Sequence, residues 1–164
     1  MPRGSGKLDA ILSAIVARLI AQVSGCNAAT CYLCLNPDAV PSPNPGDFVY
    51  VVAPTGGEFD DALFDGGGQN QATVNAGVIV KIHSPVQLDE ARHDAQFLTH
   101  STLGVLEKSR LVMKALADWS PADGGANEIT RNPLIPANYG ITHSQRQLGA
   151  VELTFHLTYD WDLS

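Results

Sequence analysis

The sequence predicts an α+β fold, in which a small four-stranded sheet, mostly antiparallel or mixed, packs against an N-terminal helix and a long central helical region. Three patterns predict it. Apolar and polar residues alternate strictly from Val151 to Tyr159, which is typical of a half-buried strand. Apolar residues recur at helical spacing over Leu8–Val23, and at alternating spacings of four and three between Leu88 and Trp119. The chain of 164 residues fits a single domain, which we place at residues 8–164.

The first helix is predicted over Leu8–Val23, after a flexible arm of residues 1–7. Gly25 follows it and is a typical residue at the end of a helix. The back of this helix carries alanines where a solvated helix usually has Lys and Glu: Ala10, Ala14, Ala17 and Ala21. Helix propensity alone would explain such a face, because alanine is the best helix former. The alternative is a second packing surface for a neighbouring subunit.

Three further strands are predicted before the central helical region, at Thr30–Leu35, Phe48–Val52 and Thr73–Ile82. Long loops are predicted at about 36–47, 53–72 and 120–148. The first of these loops holds four prolines, which exclude a central strand or a helix. The second is rich in glycine, and the third is weakly patterned. Val151–Tyr159 then supplies the fourth strand.

The central helical region is predicted from Leu88 to Trp119, with a bend or break at Gly104. Its seam consists of residues at alternating spacings of four and three: Ala91, Ala95, Leu98, Thr102, Val105, Ser109, Val112 and Leu116. Phe97 and Leu111 lie off this seam. A helix that faces water would not place two large apolar side chains there, so we interpret them as part of a second partner surface.

Charge and composition exclude several classes of function. The formal net charge is −7 and the Lys and Arg residues are scattered singly, which argues against sequence-independent binding of nucleic acid. No apolar run reaches the roughly 20 residues that a membrane span needs, and no secretory signal is recognisable. Three cysteines cannot all pair internally. We therefore expect folding in the cytoplasm and no membrane partner.

The candidate chemical groups do not form a convincing cluster. Cys31 and Cys34 form a CxxC pair, but a zinc site needs a second pair that the chain lacks. We expect buried structural thiols, no metal, no cofactor and no catalytic residue, so the protein is predicted not to be an enzyme. Two alternatives stay open. One is a small metal-dependent or hydrolytic enzyme that uses His83, Asp89 and His93, and the other is a generic binding domain.

The order of these parts resembles the tail-terminator (tail-completion) proteins of long-tailed bacteriophages and related minor proteins at the head–tail junction. The segments that carry the resemblance are Leu8–Val23, Thr73–Ile82, Leu88–Trp119 and the sequence VELTFHLTYDW at 151–161. The resemblance implies a structural virion protein whose copies form a ring, a homo-hexamer, that caps the tail tube and joins it to the head connector. It places the protein at the head–tail junction of the virion, after assembly in the host cytoplasm.

In such a ring, tail-tube and neck proteins are the axial partners, and DNA is only a passing cargo in the channel. The apolar faces noted above would supply the contacts between subunits. The residues predicted at this oligomer interface are Ala10, Ala14, Ala17, Ala21, Phe97 and Leu111.

Overall fold

The computed structural model describes residues 6–38, 47–60, 71–84, 104–122, 128–143 and 149–162. Within these residues lie two helices and five strands: α1 (Gly6–Gln22), β1 (Cys31–Leu33), β2 (Val49–Phe59), β3 (Gln71–His83), α2 (Val105–Leu116), β4 (Ile135–His143) and β5 (Gly149–Asp162). The strands form one mixed sheet in the order β1-β2-β3-β5-β4. β1 is parallel to β2, and the other neighbouring pairs are antiparallel. The predicted α+β class is confirmed.

The predicted number of strands is wrong, because the sheet has five strands and not four. The additional strand, β4, lies inside the segment at 120–148 that was predicted to be a loop. Its pattern is hard to recognise because the pairing shifts register between Pro136 and Asn138 and because Gly140 interrupts the apolar residues. Strands β2 and β3 also extend into the predicted loop at 53–72, to Phe59 and from Gln71.

The long central helical region is also corrected. In the described part of the chain it is a helix only from Val105 to Leu116, and residues 88–103 of the prediction lie outside that part. Gly104, the predicted break, has extended backbone angles directly before the helix. The seam residues within the helix are all buried, as predicted: Val105, Ser109, Val112 and Leu116.

Both helices cover one face of the sheet. α1 lies over β1 and β2, and α2 lies over β3 and β5. The register pairs Val78 with Phe155 and Val80 with Leu153, which sets these side chains on the face that the helices cover. The alternation predicted for the last strand is confirmed, since its apolar residues are buried and His156, on the opposite face, is exposed: Val151, Leu153, Phe155, Leu157 and Tyr159.

A cation on α1 ties the two helices together. Arg18 donates a hydrogen bond from Nε to the carbonyl oxygen of Ala115 at 3.1 Å. Its guanidinium lies 5.4 Å from the centre of the Trp119 ring. Because the last carbonyls of a helix have no partner within the helix, a cation at this position stabilises the end of α2.

The opposite face of the sheet is also buried at its centre. Val49 and Val51 of β2 pair with His83 and Lys81 of β3, and all four residues are buried. The backbone next to Asp38 lies against this face, because the Pro37 carbonyl oxygen is 2.9 Å from His83 Nε2. The centre of the sheet therefore has buried residues on both faces, whereas its borders have fewer.

Candidate functional site

Strand β4 forms one border of the sheet and leaves apolar side chains in solvent. It pairs with β5 on one side, and no described strand pairs with its other side. Ile135, Tyr139 and Ile141 are 50%, 68% and 58% exposed. The strand contains no Lys, Arg, Asp or Glu, although edge strands usually carry such charges to prevent pairing with other chains. Residues 138–143, beyond the register shift, therefore form an edge to which no described strand is paired.

The same strand forms one wall of an apolar groove. Tyr139 pairs with Leu153, and Ile141 pairs with Val151, so these side chains lie on the face that the helices cover. Helix α2 forms the opposite wall, and the groove has a volume of about 500 Å³. Its apolar lining comes from three elements: Leu106 and Met113 of α2, Tyr139 of β4, and Val151 and Leu153 of β5.

Two cations lie on the α2 side of the groove, Arg110 and Lys114. Arg110 donates hydrogen bonds to Glu107, from Nε at 2.8 Å and from Nη2 at 2.7 Å. These bonds lower the pKa of Glu107 and raise that of Arg110. Lys114 makes no ion pair with a described residue. On this side, the rim of the groove therefore carries one cation that is paired and one that pairs with no described carboxylate.

The predicted interface residues on α1 reach the surface to different degrees. Ala17 and Ala21 are exposed, and Ala10 and Ala14 are half-buried. Ile20, on the same helix, is also exposed. On α2, Leu111 is half-buried and packs against the core. Phe97 lies outside the described residues. The role of these residues in an interface stays a prediction.

Of the three residues of the enzyme hypothesis, only His83 lies in the described part of the chain. His83 is fully buried in β3, where Nε2 lies 2.9 Å from the Pro37 carbonyl oxygen. Burial lowers the pKa of His83, which favours a neutral ring whose Nε2–H donates to that carbonyl. Asp89 and His93 lie outside the described residues. Where the structure describes the chain, no three His, Cys, Asp or Glu side chains are placed to hold a metal ion.

A buried ion cluster that the sequence did not predict lies on the face of the sheet opposite the helices. The Lys81 ammonium is buried, donates to Asp38, and lies 3.6 Å from a carboxylate oxygen of Glu152. A buried ammonium needs such partners, since desolvation of an unpaired charge costs several kcal/mol. The cluster therefore holds the backbone at Asp38 against the sheet. The sequence signal was Lys81 within the apolar run Val78–Ile82, because lysine is rarely buried without a partner.

No protein-family model matches the chain, and no curated protein matches it in sequence. Neither described helix is long and apolar enough to cross a membrane.

Proposed function

We propose that this protein is a structural subunit that assembles into a ring of the kind found at the head–tail junction of long-tailed bacteriophages. The ring, a homo-hexamer, caps the tail tube and joins it to the head connector. One observation carries the proposal: an uncharged edge strand and an apolar groove lie side by side at one border of the sheet. The resemblance in the order of helices and strands supports this choice of assembly.

Contact with a neighbouring subunit would stabilise the exposed side chains at this border. Complete burial of a large apolar side chain contributes about 1.5–3 kcal/mol. Tyr139, Ile141 and Leu106 are 68%, 58% and 43% exposed, so covering each of them contributes roughly half of that. Backbone pairing along residues 138–143 adds hydrogen bonds and fixes the register of the contact.

A closed ring with more than two copies needs a contact between two different surfaces of each subunit. The outer face of α1 is suited to be the second surface, because Ala17, Ile20 and Ala21 are exposed and small residues allow close approach. This face also lies far along the sheet from the groove. α1 covers β1 and β2, whereas the groove lies beside β4 at the other border.

The charge of the chain suits a channel for DNA. Six copies at −7 each would carry a formal charge of −42. DNA is itself highly negative, so an acidic ring lets it pass without binding to it. In this proposal, DNA is cargo, and the stable partners are the copies in the ring and the tail-tube and neck proteins on either side.

The test compares the mass in solution of the wild type with that of the double variant Tyr139→Lys/Ile141→Lys. Light scattering after size-exclusion chromatography should give a mass near six copies for the wild type, and negative-stain images should show rings. The double variant should be a monomer, because two buried ammonium groups in the contact would be unpaired. Its far-UV circular dichroism should match that of the wild type, since both side chains are exposed in the monomer.

His156→Lys is the matched control, because it places the same charge on the neighbouring strand but on the opposite face of the sheet. This variant should still form rings. A wild type that stays monomeric at high concentration, or a double variant that assembles as the wild type does, would refute the proposal.

A further inference from the structure

We propose that Cys26 and Cys31 are a site of reversible oxidation, at which a peroxide converts the two buried thiols into a disulfide. The proposal does not depend on ring assembly. It stands on the turn between α1 and β1, on a buried lysine beside this turn, and on a buried tyrosine hydroxyl near both thiols.

The turn brings the two cysteines together. The backbone N–H of Cys26 donates to the Val23 carbonyl oxygen at 3.0 Å, and that of Cys31 donates to the Asn27 carbonyl oxygen at 2.9 Å. These bonds fold the connection back on itself at the end of α1. Both cysteines then join the core with 6% of their surface exposed, and their thiols share a hydrogen bond.

A buried ammonium lies beside this turn. Lys108 of α2 donates from Nζ to the Ser24 carbonyl oxygen at 3.0 Å, and it pairs with no described carboxylate. The same Nζ would lie 3.6 Å from a Cβ atom at Gly25, the residue directly before Cys26. The ammonium therefore lies beside the residue that precedes Cys26, and its positive charge favours a thiolate at Cys26.

The two thiols differ in acidity. The hydrogen bond from Cys31 and the charge of Lys108 lower the pKa of Cys26, against the effect of burial. The same hydrogen bond and burial raise the pKa of Cys31. Cys26 is therefore the more acidic thiol and acts as the nucleophile, and Cys31 keeps its proton until the second step.

Tyr50 supplies a free hydrogen-bond donor. It pairs with Cys31 in the sheet, it is fully buried, and its hydroxyl has no hydrogen-bond partner among the described residues. Burial, and then electrostatic interaction with the two cysteines, raise the pKa of Tyr50, so its hydroxyl stays protonated. It can donate to an oxygen atom that is added to either sulfur.

The reaction proceeds in two steps. The Cys26 thiolate attacks one oxygen of hydrogen peroxide, the O–O bond breaks, and the leaving hydroxide takes a proton to become water. The Cys31 sulfur then attacks the sulfenic acid of Cys26, the S–S bond forms, and the sulfenic oxygen leaves as water with the proton of Cys31. Overall, two thiols lose two electrons and two protons, and one peroxide is reduced to two waters.

The experiment uses a Cys34→Ser variant, which keeps only the two proposed thiols. The folded variant is treated with hydrogen peroxide, and free thiols and intact mass are measured after denaturation. Both thiols should disappear, the mass should fall by about 2 Da, and dithiothreitol should reverse both changes. Adding Cys26→Ser or Cys31→Ser to this variant should abolish the loss of mass.

Lys108→Met in the same background tests the role of the ammonium, and Arg131→Met is its matched control because Arg131 pairs with Asp160 instead. Lys108→Met should slow the reaction several-fold, and Arg131→Met should not. If Lys108→Met fails to fold, the Cys34→Ser measurement decides alone. Unchanged thiols, a lasting gain of mass from added oxygen, a disulfide only between chains, or an unchanged rate in a folded Lys108→Met variant would each overturn the proposal.

Discussion

Strands β4 and β5 are antiparallel neighbours, yet their apolar residues have opposite environments. In β5, the residues that face the helices are at most 3% exposed, including Leu153 and Phe155. In β4, Tyr139 lies directly beside Leu153 and is 68% exposed. The difference comes from position, because β5 lies between two strands and beneath α2, whereas β4 has one described neighbouring strand and is covered by neither described helix. An apolar strand can therefore stabilise the subunit or leave a surface for another subunit.

The two strands have different energetic roles, one in folding of the monomer and the other in the proposed assembly. Burial of β5 occurs when the chain folds, so its apolar side chains stabilise the monomer. The apolar side chains of β4 remain half exposed or more, so in the proposed ring most of their contribution would come from association. Substitutions in β5 should therefore change the free energy of unfolding, and substitutions in β4 should change the assembly.

The largest effect is expected for Phe155→Ala, which removes a fully buried ring from β5. It should lower the free energy of unfolding by about 3–5 kcal/mol, because it leaves a cavity as well as losing apolar burial. Tyr139→Ala in β4 should cost less than about 1 kcal/mol under the same conditions. Chemical denaturation should be measured at a concentration low enough to keep the protein monomeric, since association adds to apparent stability. Similar losses for both variants would contradict the comparison.

A mixing experiment determines which surface of a second copy binds the β4 border. One variant, Tyr139→Lys/Ile141→Lys, has a blocked groove and an intact α1. The other, Ala17→Glu/Ala21→Glu, has a blocked α1 face and an intact groove. Each should be a monomer alone. If the groove binds α1 of the next copy, an equal mixture should form a dimer with one molecule of each variant, because one good groove then meets one good helix face.

Native mass spectrometry distinguishes the outcomes of this mixture, because the two variants differ in mass. Assembly of Ala17→Glu/Ala21→Glu alone would show that the alanines of α1 reflect helix propensity only. Failure of the mixture to form any dimer, with each variant folded and monomeric, would rule out a direct contact between the groove and α1.

The sequence predicted the parts of the fold in which a single pattern runs without interruption. The alternation of Val151–Tyr159 identified β5, and the apolar stripe of Leu8–Val23 identified α1. Strand β4 escaped recognition because Pro136, the register shift and Gly140 break its alternation, and an edge strand tolerates all three. Within the described part, the helix predicted over Leu88–Trp119 ends at Leu116, three residues earlier than expected, because residue spacing does not mark where a helix ends.

The groove of the candidate site could not be predicted from the spacing of residues along the chain. The groove exists because β4 lies beside β5 at the border that α2 leaves open, and this follows from the strand order. Ile135, Tyr139 and Ile141 gave one usable signal, since they occur in a strand without Lys, Arg, Asp or Glu. The pairing of Cys26 with Cys31 could not be predicted either. The CxxC spacing relates Cys31 to Cys34, whereas Cys26 and Cys31 are brought together only by the turn between α1 and β1.

The smallest effect is expected from pH, and it extends the comparison of buried and exposed positions to two histidines. His83 is fully buried in β3, and His156 is exposed in β5. Burial holds the pKa of His83 below its ordinary value of 6.5, although the Pro37 carbonyl opposes this effect. The unfolded chain therefore binds a proton more readily than the folded chain, so the free energy of unfolding should fall as the pH drops through 6.5 towards the lowered pKa.

Urea denaturation of the wild type, His83→Gln and His156→Gln at several pH values checks this. His83→Gln should reduce the pH dependence whatever its absolute stability, and His156→Gln should keep it. An equal slope in the wild type and His83→Gln would contradict the role given to His83.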